Sequence, residues 1–235
     1  MGEGPDDRVA LLEAIDALDC GTAAHAAAIR GCGAGGANDL VCAVLGLGRA
    51  PRAVGPTARE LDPPVVMIAG DTAVDLDPTT VTAIRRALHG RRGTLVGGGT
   101  GVGVAGLVAS IGAAEPGVRT IGYLPGRHRS SADPRYDVLR YTDGDDFSLL
   151  DPVAAWEELL DAGLRLAAVR VLGVGGGDIA GLEYRLALAL GASLGLLAGS
   201  GRAVDDLLGD ERWSRHPGVH RLADDADAIR HFLTG

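Results

Sequence analysis

The residues in this chain best suited to chemistry are glycines in short runs, each run followed by a hydroxyl, an acid or an arginine. Four such turns stand out: Gly70-Asp71-Thr72; Gly97-Gly98-Gly99-Thr100-Gly101-Val102-Gly103; Gly175-Gly176-Gly177-Asp178; and Gly199-Ser200-Gly201-Arg202. Glycine permits positive φ and lets ligand oxygens approach the backbone. Where a helix follows, its unpaired amides and its dipole favour an anion. Thr100 and Ser200 add hydroxyl donors, and Arg202 adds a cation able to hold two oxygens at once. Taken singly, any of these turns is explained as well by the tightness of a strand-to-helix loop. Taken together, they point to one shared site for a phosphate-bearing, nucleotide-like ligand.

Other candidate residues admit two readings. Glu183 falls one turn into the helix after Gly175–Gly177, where a carboxylate either faces a ribose or sits on the surface. Arg127, His128 and Arg129 form a basic loop, either solvated or clamping a second phosphate. Asp143, Asp145 and Asp146 fit a solvated turn better than a cation site. His25, among alanines, reads as a helix-face residue. Gly101-x-Gly103-x-x-Gly106 matches the dinucleotide-binding fingerprint literally, but it follows the second strand and lacks the acidic partner for a ribose. No Ser/His/Asp or Cys/His arrangement can be assembled, and no metal set is expected.

Composition narrows the classes. The formal charge is −9 over 235 residues, which argues against nucleic acid or an anionic membrane as partner. Lysine is absent, so a Walker A loop, a Schiff-base enzyme and a Ser-x-x-Lys acyl enzyme are excluded. Aromatics make up 3% of the chain, leaving little material for base-stacking platforms. Cys20, Cys32 and Cys42 fit neither a zinc pair nor a disulfide framework and read as reduced, buried residues. The N-terminus carries no signal-peptide pattern, and Leu186–Ala198 is too short an apolar run to span a bilayer. The expectation is a soluble, cytoplasmic protein.

These turns need a scaffold that brings them to one edge. Helices are expected over 8–19, 22–30 and 39–47, with a connector over 50–64; residues 1–63 thus form a helical extension, and 64–235 the main domain. From Val65 onward strands and helices alternate. Strands are expected at 65–70, 93–98, 119–124, 136–142, 166–173, 193–199 and 219–223. Helices are expected from Asp77-Pro78 to 89, over 103–113, from Asp151-Pro152 to 164, and over 179–190, 203–208 and 225–233. Such alternation predicts an α/β, Rossmann-like fold, with a mostly parallel sheet covered by helices on both faces.

With the turns in this order, the chain resembles the SLOG superfamily, the Rossmann-like group that includes the LOG phosphoribohydrolases. Within it the likeness is strongest to the prokaryotic relatives of the TRPM-channel N-terminal domain. It rests on Gly70-Asp71-Thr72, Gly98-Gly99-Thr100-x-x-Gly103-Val104, Ile121-Gly122-Tyr123, Gly175-Gly176-Gly177 with Glu183, and Gly199-Ser200-Gly201-Arg202-Ala203-x-Asp205. The resemblance implies a sensor for ADP-ribose-like or NAD-derived nucleotides that requires no further cofactor. In bacteria it implies coupling to an effector in defence or signalling, and a homo-oligomer. The implied ligand residues are Gly70, Asp71, Thr72, Gly98, Gly99, Thr100, Gly103, Gly175, Gly176, Gly177, Glu183, Ser200, Gly201 and Arg202. The alternative it implies is hydrolysis of nucleoside 5′-monophosphates through Glu183. Against that, the family's Pro-Gly-Gly-x-Gly-Thr-x-x-Glu reads here as Gly175-Gly176-Gly177-Asp178-Ile179-Ala180-Gly181-Leu182-Glu183. Only the glutamate and part of the glycine run are kept, so sensing is favoured over cutting.

Overall fold

The computed structural model describes residues 61–70, 76–142, 146–147, 150–162, 164–189 and 191–235. The expected helices within 1–60, the three cysteines, His25, Asp71, Thr72, Asp143 and Asp145 lie outside the described residues. Among the described residues, seven strands form one sheet: β1 Val65–Gly70, β2 Gly93–Gly97, β3 Val118–Pro125, β4 Val138–Thr142, β5 Arg170–Val174, β6 Ser193–Leu197 and β7 Val219–Leu222. Their spatial order is β4-β3-β2-β1-β5-β6-β7, and every pair is parallel. The fold is α/β and Rossmann-like, as the alternation of elements predicts.

The inner strands are nearly continuous apolar runs, because helices cover both faces of the sheet. Val65–Gly70 and Gly93–Gly97 are buried along almost their whole length. Helices α1 Pro78–Leu88, α2 Gly103–Ala114 and α7 Ala226–Thr234 build one core layer with Val66, Leu95, Leu172 and Leu197. Helices α3 Leu150–Asp161, α4 Asp178–Ala189, α5 Arg202–Gly209 and α6 Glu211–Ser214 build the other, around Trp156, Tyr184, Leu207 and Trp213. The Asp-Pro helix start holds at α1, where the Asp77 carboxylate accepts from the Thr79 amide at 2.7 Å and Pro78 occupies the first turn. Leu61 and Asp62 are fastened to the sheet, for Leu61 is buried and Thr94 Oγ1 both accepts from the Asp62 amide and donates to its carbonyl.

Three local features depart from the expected elements. Leu166–Ala168 is a 3-10 turn rather than the start of a strand, because pairing with β1 begins only at Val66↔Arg170. β3 and β4 are joined by a 3-10 segment, Gly126–Ser131, instead of an open loop. The short helix α6 was not expected at all.

The β2–α2 turn crosses directly over β3. A Cβ on Gly122 would stand 2.4 Å from the Gly99 Cα, so the turn can lie this close only over a glycine. Gly122→Ala is therefore expected to lose about 1–3 kcal/mol of stability through overpacking against backbone. Urea denaturation checks this, and an unchanged midpoint would contradict it.

Candidate functional site

The helices change faces between β1 and β5, and in open α/β sheets that switch point leaves a crevice beyond the strand carboxyl ends. A cavity of about 380 Å3 fills it. Its floor is the ends of β1, β2 and β3: Met67 to Gly70, Val96 to Gly98, and Tyr123. Its walls come from the first turns of three helices, with Val104 and Ala105 of α2, Asp151, Pro152 and Ala155 of α3, and Ile179, Ala180 and Glu183 of α4. Each of these helices is longer than two turns and presents its positive end to the same space. Phe147, Gly177 and Arg202 complete the lining.

Two carboxylates share this cavity. Asp151 is buried, and the equally buried Thr142 hydroxyl donates to its Oδ1 at 2.6 Å. Burial, reinforced by the charge of Asp151, pushes the Glu183 carboxyl up from 4.5 to about 7. Glu183 thus exchanges its proton near neutrality, and the cavity holds either one negative charge or two. Arg202 is the sole basic side chain among the described residues lining it.

Behind the floor lies a second charged group. Arg140, fully buried, grips Glu158 with two hydrogen bonds, Nε to Oε2 at 2.9 Å and Nη2 to Oε1 at 2.8 Å. The Tyr123 hydroxyl donates to the same Oε2 at 2.6 Å. Burial foremost, then the adjacent carboxylate, drives the Tyr123 hydroxyl well above its usual range, so it remains a donor. This ion pair sits behind the sheet edge and fixes the ring that floors the cavity.

The last glycine turn is held from within. The Asp205 carboxylate accepts from the Gly199 amide at 2.9 Å and from the Gly201 amide at 3.0 Å. Ser200 Oγ accepts from the Gly175 amide at 2.8 Å and donates to the Leu197 carbonyl at 2.6 Å. The Ala203 and Val204 amides donate back to Gly176 and Gly175. The Gly-Ser-Gly-Arg-Ala-x-Asp segment therefore spends its glycine amides on its own aspartate, and its serine and following amides on clasping the neighbouring turn. What it turns outward is Arg202, whose backbone is held at φ 50°, a conformation that L side chains seldom adopt.

The structure gathers some of the expected site residues and separates others. Gly70, Gly98, Gly177, Glu183 and Arg202 line the main cavity. Gly175, Gly176 and Ser200 line a smaller one of about 280 Å3 on the other side of the turn, and Arg202 lines that as well. Gly99, Thr100, Gly103 and Gly201 line neither. Thr100 is buried and paired with Ala132, while Gly101 beside it packs near the Asp133 carboxylate. The basic loop is engaged in local contacts: Arg129 stacks on Tyr141 with its guanidinium 3.7 Å from the ring centre, and His128 packs on Phe147 and reaches Asp146. Asp151, Tyr123, Phe147 and Asp205 are functional candidates that sequence reasoning did not find. Of these Tyr123 and Asp205 carried a signal, each as the last member of a motif, though neither was singled out as a ligand residue. Among the described residues no group of acids, histidines and cysteines could hold a metal ion, and no helix is long and apolar enough to cross a membrane.

Solved structures share this architecture at low identity. The structural-genomics target TM1055 is 21% identical over 72% of this chain and 97% of its own length, with a TM-score of 0.51. The molybdenum cofactor carrier protein of Chlamydomonas reinhardtii is 23% identical over 72% of this chain and 94% of its own, also at 0.51. The molybdenum cofactor binding protein of Rippkaea orientalis is 21% identical over the same shares, at 0.52. These likenesses show the fold. No family model matches the chain, and neither does any curated protein.

Two outcomes are expected from this geometry. Because the folded state holds the Glu183 proton more tightly than the unfolded chain does, its contribution to stability is present below pH 4.5 and is lost as pH rises towards about 7. Glu183→Gln should therefore gain on the parent protein across that window, by roughly 1–3 kcal/mol at pH 8. Urea denaturation at pH 4.5 and pH 8 reads the difference, and equal gains at both would refute it. Asp205→Ala leaves two loop amides without their acceptor and is expected to cost about 1–3 kcal/mol, measured in the same way.

Proposed function

We propose that this chain is a ligand-binding domain whose main cavity takes a phosphorylated, heterocycle-bearing molecule of the nucleotide class. The observation that carries this reading is the convergence of three helix N-termini and Arg202 on one largely apolar cavity at the switch point. The cavity volume falls within the range of small-molecule sites, roughly 300–1,000 Å3. Met67, Val96, Val104, Ile179 and the Tyr123 ring offer apolar contact to a flat heterocycle, while the helix starts offer amides to its phosphate. The SLOG resemblance makes ADP-ribose and NAD-derived nucleotides the first candidates. It also supplies the wider reading, a cytoplasmic, homo-oligomeric bacterial sensor that reports ligand to an effector. The two fold neighbours named for the molybdenum cofactor make that molecule, also a phosphorylated heterocycle, one further candidate.

A second reading is favoured by one specific feature, the pairing of Glu183 with Asp151. A carboxyl that titrates near 7 beside a second acid is the arrangement expected of a general acid or base. At an N-glycosidic bond, Glu183 would then act on the ribose side of a nucleoside 5′-monophosphate. The turn before Glu183 lacks the Gly-Thr pair of the phosphoribohydrolase motif, with Ile179-Ala180 in its place, so binding without turnover is preferred.

A thermal-shift series with ADP-ribose, NAD, AMP and the molybdenum cofactor tests the first reading. A rise in melting temperature with at least one ligand, weakened about tenfold or more in apparent affinity by Arg202→Ala, is expected. No shift with any of them at millimolar concentration would reject it. Incubation with AMP tests the second. Release of adenine that falls at least about a hundredfold in Glu183→Gln would establish hydrolysis, and no release would exclude AMP as its substrate.

A further inference from the structure

The smaller cavity differs from the larger one in the chemistry of its walls. Asp77 and Thr80 of α1, Asp224 after β7, and the turn residues Gly175, Gly176 and Ser200 face it. Asp224 Oδ2 accepts from the Thr80 hydroxyl at 2.6 Å, and a carboxylate retains lone pairs for further donors. The Thr79 amide holds the Asp77 carboxyl below its ordinary range, so it too is an acceptor at neutral pH. A phosphate would be repelled by this pair, whereas hydroxyl groups would donate to it. The larger cavity also holds two acids, Asp151 and Glu183, but sets them beside an apolar floor of Met67, Val96 and the Tyr123 ring.

The two cavities meet at Arg202. It lines both, and it is the only basic side chain among the described residues lining either. It is also the only described non-glycine residue at positive φ. The guanidinium lies over Gly177, where a Cβ would come within 2.9 Å of Nη2, on the turn that divides the two spaces. Its backbone conformation is not a local preference; it is imposed by the Asp205 and Ser200 clasp described above. The clasp thereby sets one cation at the boundary of the two spaces.

We propose that the two cavities are halves of one site for a bipartite ligand: a phosphate bridge on Arg202, a heterocycle in the larger cavity, and an uncharged, hydroxyl-bearing group such as a sugar on Asp224 and Asp77 in the smaller. This rests on the reading of the larger cavity as a nucleotide site and adds to it a second subsite with its own specificity. An occupant with only a terminal phosphate would leave the acid-lined half unused. One whose far end is anionic would be turned away by it.

Calorimetric titration of AMP, ADP and ADP-ribose into the full chain tests the proposal, using the parent protein and the Asp224→Ala and Thr80→Val variants. The parent is expected to bind ADP-ribose at least about tenfold more tightly than ADP, the gain of one or two hydrogen bonds to charged acceptors. Asp224→Ala should bring that ratio to within about twofold while leaving the affinity for AMP unchanged. Thr80→Val, which keeps the side-chain shape, should lower the ratio by less. If AMP binds but ADP and ADP-ribose bind equally, or if the ratio survives in Asp224→Ala, the second subsite is refuted and the nucleotide reading stands. If none of the three binds the parent protein, the second subsite is refuted, and the reading of the larger cavity falls with it once NAD and the molybdenum cofactor also fail to bind.

Discussion

The pairing of β1 with β5 is the constraint on which the rest of the molecule depends. Five residues of each strand run in register, from Val66↔Arg170 to Gly70↔Val174, at the place where the helices change sides. A Cβ on Gly70 would stand 2.1 Å from the Val174 carbonyl, so the two strand ends approach as closely as backbones can. The buried Tyr184 hydroxyl spans the same junction, donating towards the carbonyls of Ala69 and Gly175 at 3.2 and 3.1 Å. Once these ends are fixed, the turns that leave them must diverge to opposite faces. The space between them is the cavity.

Much of this was legible in the residues. Continuous apolar runs identified the buried strands, and Asp77-Pro78 marked a helix start, because both signals are local in sequence. Glu183 and Arg202 were recognisable as site residues because each stands at a fixed offset from a glycine turn. Asp151 and Tyr123 were not. Asp151 looks like the opening of a helix, and Tyr123 like one aromatic within a strand. Nothing local reveals that parallel pairing brings both to the same space as Glu183. Ser200 was legible as a hydroxyl in a glycine turn, but its hydrogen-bond partners, Gly175 and Leu197, belong to two different strand ends. The roles of the glycines were partly hidden for the same reason. Gly99 serves the approach of a turn to β3, and only the neighbouring strand shows it.

The site also inverts the usual recipe for an anion pocket. In a chain without lysine and with a net charge of −9, the positive groups facing the cavity are Arg202 and the peptide dipoles at three helix starts. Such charge is fixed in direction and lies along the helix axes, whereas a lysine ammonium moves with its stem. Two carboxylates within the same walls oppose it. In the proposed role an occupant would be sorted by where along its length its charge lies, more than by how much charge it carries.

The buried Arg140–Glu158 pair carries a consequence for the kinetics of occupancy. Through the Tyr123 hydroxyl it immobilises the aromatic floor before anything enters, so that part of the site loses no conformational freedom on association. The side chains left to be ordered are those at the mouth. Ile179 and Phe147, with 41% and 36% of their surface open to solvent, are among the three large apolar residues most exposed in the described structure. In the proposed binding role, with the floor already set, these two side chains are the ones left to be ordered by an occupant. The proposed role thus divides the cavity into a floor fixed in advance and a mouth that is not.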